Sequence, residues 1–140
     1  MRLLLLVVLM FINVGLTYSQ VDYDSKLLSK YEKAFLEEQV EHDQNFIIRQ
    51  NFLVNESYLI VDRSEIDLSI EFKTLKNIDR FTKQESNVDW INFDLSNFNL
   101  YNYSYECTKE RNYYLLGNTG KVLVILSQQE ITREYNKTRQ

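Results

Sequence analysis

The sequence predicts an α+β fold, and three stretches carry that prediction. From Lys26 to Glu41, Leu27, Leu28, Tyr31, Ala34, Phe35 and Val40 recur at helical spacing, against a wet side of Lys26, Lys30, Glu32, Lys33, Glu37 and Glu38. From Asn112 to Leu126, two apolar runs flank Gly117-Asn118-Thr119-Gly120, as in a β-hairpin. From Ile66 to Phe72, apolar residues alternate with Asp67, Ser69 and Glu71, as in a half-buried strand. The expected architecture is one long N-terminal helix packed on an antiparallel, curved sheet that ends in a C-terminal hairpin, with a short C-terminal helix after it.

The first residues read as a targeting segment. Met1-Arg2 is a short positive start, and Leu3 to Leu16 is apolar apart from Asn13 and Gly15. Thr17 and Ser19 are small residues at the usual −3 and −1 positions, so residues 1–19 are expected to be a secretory signal peptide with cleavage before Gln20. Such a run is shorter than the roughly 20 residues of a membrane span. Residues 20–140 are then expected to form a single secreted or periplasmic α+β domain, with no stable membrane span after signal removal.

Asp24 or Ser25 can cap the long helix. Phe46-Ile47-Ile48 fits either an extension of it or a strand. Asn55-Glu56-Ser57 is a turn signal, and Tyr58-Leu59-Ile60-Val61 is a β-branched, aromatic strand. Asp62-Arg63-Ser64 turns the chain, so Tyr58–Val61 and Glu65–Lys73 are expected to pair as a hairpin. Thr74 to Asn87 is polar, with Leu75, Ile78 and Phe81 at helix-like spacing, and fits a short helix or an irregular loop. Val88 to Leu100 has no clean period. Tyr101, Tyr103, Tyr105 and Cys107 then alternate with Asn102, Ser104 and Glu106, as in a strand with one aromatic face.

In the C-terminal hairpin a three-residue loop, Asn118-Thr119-Gly120, is expected, with Gly120 at positive φ. Gly117 then pairs with Lys121, Leu116 with Val122, and Tyr114 with Val124. A two-residue loop of Asn118-Thr119 would shift this register by one, and Thr suits positive φ poorly. Val122 to Leu126 does not alternate, so this strand should be buried on both faces. Ser127-Gln128-Gln129-Glu130 matches a capping box and predicts a short helix from Gln128 to about Tyr135. One long helix against a curved sheet is an outline shared by cystatin-like and NTF2-like folds. That is an analogy of architecture, carried by no motif, and it implies nothing about activity.

The charge is −4 with both signs interspersed, so there is no basic stripe and no nucleic-acid partner is expected. Only one cysteine, Cys107, is present, so an internal disulfide framework is excluded. Its place in an aromatic strand argues for burial over an intermolecular bridge. Asn55, Asn102 and Asn136 begin Asn-x-Ser/Thr sequons, which chance readily supplies in an Asn-rich chain.

Chemistry-bearing patterns are sparse. His42 is the only histidine, and with Glu38 four residues earlier it supplies two ligands where a closed zinc site needs about four. Asp89 and Asp94 flank Trp90 and Phe93, the composition of a glycosidase cleft, but Asp in an aromatic loop is more often a turn former. Asp62, Ser64, Glu65 and Asp67 lack the glycine and spacing of an EF-hand loop. No catalytic residue, metal site or cofactor is expected. The chain has 10 Tyr, half of them between Tyr101 and Tyr114. Tyr offers stiff contact area with a polar tip, so Tyr101, Tyr103 and Tyr105 are the candidate binding residues. The polar set opposite them suits water, which points the tyrosines inward against the helix. The expected function is a non-enzymatic module binding a protein or an envelope polymer. The alternatives are a small enzyme or ligand carrier with a pocket near Asp89, Asp94 and His42, and a structural envelope accessory protein.

Overall fold

Nine residues separate Leu27 from Leu36, and at about 100° per residue that spacing puts them on opposite sides of a continuous helix. In the computed structural model, which describes residues 22–79 and 81–139, both are fully buried. The chain does this by breaking the helix. Helix α1 spans Ser25–Leu28, α2 spans Lys33–His42 and α3 spans Asn45–Glu56. Asp24 caps α1 by accepting from the Lys26 N–H at 2.8 Å, and the Ser29 hydroxyl donates to the Lys26 carbonyl at 2.7 Å where α1 ends. The single helix expected from Lys26 to Glu41 is therefore two, and Phe46–Ile48 belong to a third. Tyr23, Leu27, Leu36, Ile47 and Val54 form one apolar cluster, with Tyr31, Val40, Phe46 and Tyr101 packed around it. The three helices thus bury their apolar sides in a cluster of their own, where one helix lying across a sheet was expected.

Four strands make the larger sheet. Strand β1 is Tyr58–Asp62, β2 is Lys73–Thr74, β6 is Asn112–Leu115 and β7 is Lys121–Ile125. Their order across the sheet is β1-β7-β6-β2. Residues Val122 to Ile125 are all buried, as the unbroken apolar run predicts. Strand β1 pairs antiparallel with β7, whose second edge is taken by β6. The expected hairpin between Tyr58–Val61 and Glu65–Lys73 does not form. After Asp62 the chain makes a short 3-10 turn over Arg63–Glu65. The Asp67 carboxylate then accepts from the Ser69 N–H and hydroxyl, so local side-chain bonds displace the extended backbone. Leu68 is left 95% exposed. Only Lys73–Thr74 becomes a strand, and it runs parallel to β6, so the sheet is mixed.

Thr74 to Asn87 forms neither a helix nor a loop. It holds β3 (Lys76–Ile78) and β4 (Glu85–Asn87), which with β5 (Tyr103–Ser104) make a second, antiparallel sheet of order β4-β3-β5. The Asp79 carboxylate accepts from the Phe81 and Thr82 N–H groups and shapes the β3–β4 turn. Neither sheet is closed or curled.

The C-terminal hairpin is present with a shifted register. Tyr114 lies opposite Leu123 and Leu115 opposite Val122, one residue from the pairing expected for a three-residue loop and in the register that the two-residue alternative gives. The Leu116 N–H donates to the Lys121 carbonyl, and Gly117 and Gly120 take φ of 55° and 71° at the two ends of a four-residue loop. A one-residue shift exchanges the faces of a strand. Tyr114 and Leu116 therefore share their face with Leu123 and Ile125, in a cluster with Leu75, Phe98 and Leu100. The chain closes with α4, Gln128–Lys137, whose capping box is formed by Ser127 and Glu130 as the sequence predicts. Tyr135 of α4 meets Phe52 of α3 edge to face at 5.5 Å between ring centroids. The segment expected to be a signal peptide, residues 1–19, lies outside the described residues.

Candidate functional site

Strand β1 forms because Tyr58-Leu59-Ile60-Val61 is uniformly suited to a pleated surface, and it lies at the edge of its sheet. Its hydrogen-bonding phase follows from two bonds at its ends. The Leu126 N–H donates to the Ser57 carbonyl at 3.0 Å, and the Arg63 N–H donates to the Gly120 carbonyl at 2.9 Å. Bonded and non-bonded pairs alternate along an antiparallel ladder. Ser57, Leu59, Val61 and Arg63 therefore turn their backbone groups toward β7. Tyr58, Ile60 and Asp62 turn theirs outward. The Asp62 N–H is taken by the Glu65 carboxylate at 3.2 Å. Among the described residues no hydrogen bond reaches the outward N–H and C=O groups of Tyr58 and Ile60.

A groove of about 440 Å³ lies between α3, β1 and α4, with Leu59 of β1 in its lining. Phe52, Leu59 and Leu126 give it an apolar lining, and Leu59 is 45% exposed. Charged side chains form its rim. The Arg111 Nε donates to both Glu130 oxygens, at 3.0 and 3.1 Å. With the Ser127 N–H on the same carboxylate, this holds the Glu130 pKa down at about 2. Glu134 accepts from Lys137 and Arg133, which lowers its pKa as well. Glu56 is different. It is the last residue of α3, the last turn of that helix carries no basic residue, and among the described residues no cation pairs with it. A carboxylate at a helix C-terminus faces the negative end of the dipole.

The tyrosines expected on one face divide between two environments. Tyr101 sits in the short 3-10 helix before β5 and packs on the helical cluster, its hydroxyl donating to Gln50 Oε1 at 2.9 Å. Lys30 Nζ stands 3.8 Å from its ring centroid. Tyr103 stacks on Phe98 at 5.1 Å, and Tyr103 and Tyr105 pack against the sheet cluster. All three are half-buried, and burial raises the pKa of each. Cys107 is exposed, which corrects the expectation of a buried thiol. Strand β5 ends at Ser104, so the alternation that would have carried Cys107 inward stops three residues short.

Asp89 and Asp94 act as turn formers. Asp89 accepts from the Asn92 amide and from the Ile91 and Asn92 N–H groups, and Asp94 from Ser96 and Asn97. These bonds lower both pKa values, the opposite of what a general acid requires. His42 ends α2 on the surface, and neither carboxylate lines the groove. Among the described residues no group of three or more His, Cys, Asp and Glu is placed to hold a metal ion, and no helix is long and apolar enough to cross a membrane.

Compared with protein-family models, with curated proteins and with solved structures, the chain matches none. The residues of the groove were not legible as a site in the sequence. The available signal was a negative one: Tyr58–Val61 contains no Lys, Pro or Gly, and its meaning appears only once the strand is known to lie at an edge.

Proposed function

We propose that the protein is a binding module that accepts an extended segment of another protein as an added strand on β1. The observation that supports this is the open edge itself. Sheet edges in natural proteins are guarded by Lys, Pro, bulges or a covering element, because unpaired N–H and C=O groups recruit other strands. The β1 edge carries none of the first three, and the outward groups of Tyr58 and Ile60 have no partner among the described residues. Strand addition uses such groups for affinity and a neighbouring pocket for selectivity. Here the pocket is the groove floored by Phe52, Leu59 and Leu126. The apolar run from Leu3 to Leu16 supports a secreted or periplasmic location, which makes another exported protein the partner.

The test is hydrogen exchange. The Tyr58 and Ile60 amides should exchange quickly in the free protein and slow down when a partner captured from the exported fraction is added. Proline is tolerated on an edge strand where its missing N–H faces solvent, so Ile60→Pro should keep the β7 ladder and abolish capture. Capture by the Ile60→Pro protein at wild-type strength would overturn the proposal.

A further inference from the structure

We infer that the segment added to β1 carries a large apolar side chain and, two positions away, a Lys or Arg. This rests on the strand-addition reading and specifies its ligand. Leu59 bonds toward β7, so on the open side it occupies a non-hydrogen-bonded position. Opposed residues at such positions lie closest, with Cα atoms about 4.5 Å apart and side chains on the same face. The residue opposite Leu59 therefore projects onto the face where Leu59 lines the groove beside Phe52 and Leu126. About 440 Å³ with an apolar floor has room for a Phe, Leu or Met side chain.

The charge preference comes from Glu56. Side chains two apart along a strand share a face, so the ligand residue two from the anchor lies opposite Ser57, next to Glu56 at the end of α3. The rim is neutral as a whole, since Arg111, Arg133 and Lys137 match Glu56, Glu130 and Glu134 in number. Its pairing is uneven. Glu130 has Arg111 and Glu134 has Arg133 and Lys137, whereas Glu56 pairs with no cation among the described residues. A ligand cation there supplies the missing counter-charge and offsets the unfavourable helix end. A second copy pairing β1 with β1 is a poorer occupant, since Tyr58–Asp62 has no basic residue.

The experiment pans a displayed library of random nine-residue peptides on residues 20–140. Selected peptides are then titrated as synthetic, fluorescently labelled probes. The expected winners hold Phe, Leu or Met with Lys or Arg two positions away, lose binding to the Ile60→Pro and Leu59→Lys proteins, and bind Glu56→Gln about fivefold more weakly, the scale of an exposed ion pair. Leu59 is half exposed, so Leu59→Lys serves where Ile60→Pro fails to fold, folding being checked by circular dichroism. Winners that need the open edge but are acidic, or that ignore Glu56→Gln, overturn this inference and leave strand addition standing. No enrichment, or winners indifferent to both edge variants, overturns both. Concentration-dependent dimerisation lost in Ile60→Pro would name a second copy as the occupant and reject the peptide.

Discussion

The Trp90 indole lies directly against Gly117: a Cβ at residue 117 would stand 2.6 Å from Trp90 Cε3. Gly117 also holds φ at 55°, which strains any residue with a Cβ. Two penalties therefore meet at one position. Gly117→Ala should cost about 2–4 kcal/mol, from left-handed strain plus overpacking. A Cβ at Gly120, where φ is 71°, would meet nothing within 4 Å, so Gly120→Ala should cost about 1 kcal/mol from strain alone. Chemical denaturation of the two variants checks the order, and a shift in the emission of Trp90, the only tryptophan, should accompany the Gly117 variant alone. Equal losses would refute the Trp90 contact.

What the sequence disclosed depended on how local the deciding interactions were. The capping box at Ser127 and Glu130, the buried run Val122–Ile125 and the strand Tyr58–Val61 are set by neighbours or by uniform composition, and all three were legible. The hairpin was legible, but of the two registers the sequence allows, the one adopted is that of the shorter loop, since both Gly117 and Gly120 take positive φ and the strands close at Leu116 and Lys121. The helix break was hidden because Leu28, Tyr31 and Phe35 complete an apparent stripe, whereas the core takes Leu27 and Leu36. Ile66–Phe72 alternates convincingly, yet the Asp67 carboxylate binds the Ser69 N–H and hydroxyl and Leu68 stays exposed, so local side-chain bonds and not the alternation decide this segment. The groove required all of these placements at once, since Phe52, Leu59 and Glu130 come from three separated elements.

Stability should fall in acid through Glu130. Its carboxyl pKa is about 2 in the folded protein against an ordinary 4.5, with the Arg111 bond as the first cause. A group whose folded pKa is depressed stabilises the fold above its unfolded pKa and loses that contribution as pH falls through the folded value. The loss attributable to Glu130 should therefore run from about pH 4.5 down to about 2. Glu130→Gln should remove this part of the acid dependence and cost about 1–2 kcal/mol at pH 7, since it also weakens the α4 cap. Thermal melts between pH 2 and 7 decide it, and an unchanged acid limb in the variant would reject the role.

Cys107 should react in the native state. It is exposed, and its backbone carbonyl accepts from Gln128 Nε2 at 3.1 Å. Partial burial raises the thiol pKa above its ordinary 9.0, and the thiolate is the reactive form. A disulfide reagent should therefore label one thiol per folded chain, slowly at pH 7 and faster as pH rises past 9. Labelling that appears only in denaturant would contradict the exposed position.

The last prediction separates Tyr103 from Tyr101, which the sequence treats alike. Tyr103 lies parallel to Phe98, with centroids 5.1 Å apart and planes inclined by 8°, and its edge meets Phe93 at 6.4 Å. Its contribution comes from the ring. Tyr101 also packs its ring, against Tyr31 at 6.5 Å, but its hydroxyl ties the 3-10 turn to Gln50 of α3. Truncating an aromatic in a core costs about 3–5 kcal/mol, and half burial reduces this, so Tyr103→Ala should lose about 2–3 kcal/mol while Tyr103→Phe stays near wild type. Tyr101→Phe should lose about 0.5–1.5 kcal/mol, the net value of one hydrogen bond. The buried Asn99 amide donates to the Ser29 hydroxyl at 2.7 Å beside it, so the same turn is anchored to the helices twice. Removing both anchors, by Tyr101→Phe with Ser29→Ala, should therefore cost more than the sum of the single losses. Denaturation of these variants against the wild type measures this, and a Tyr103→Phe loss as large as that of Tyr103→Ala would show that the hydroxyl, and not the stacked ring, holds that position.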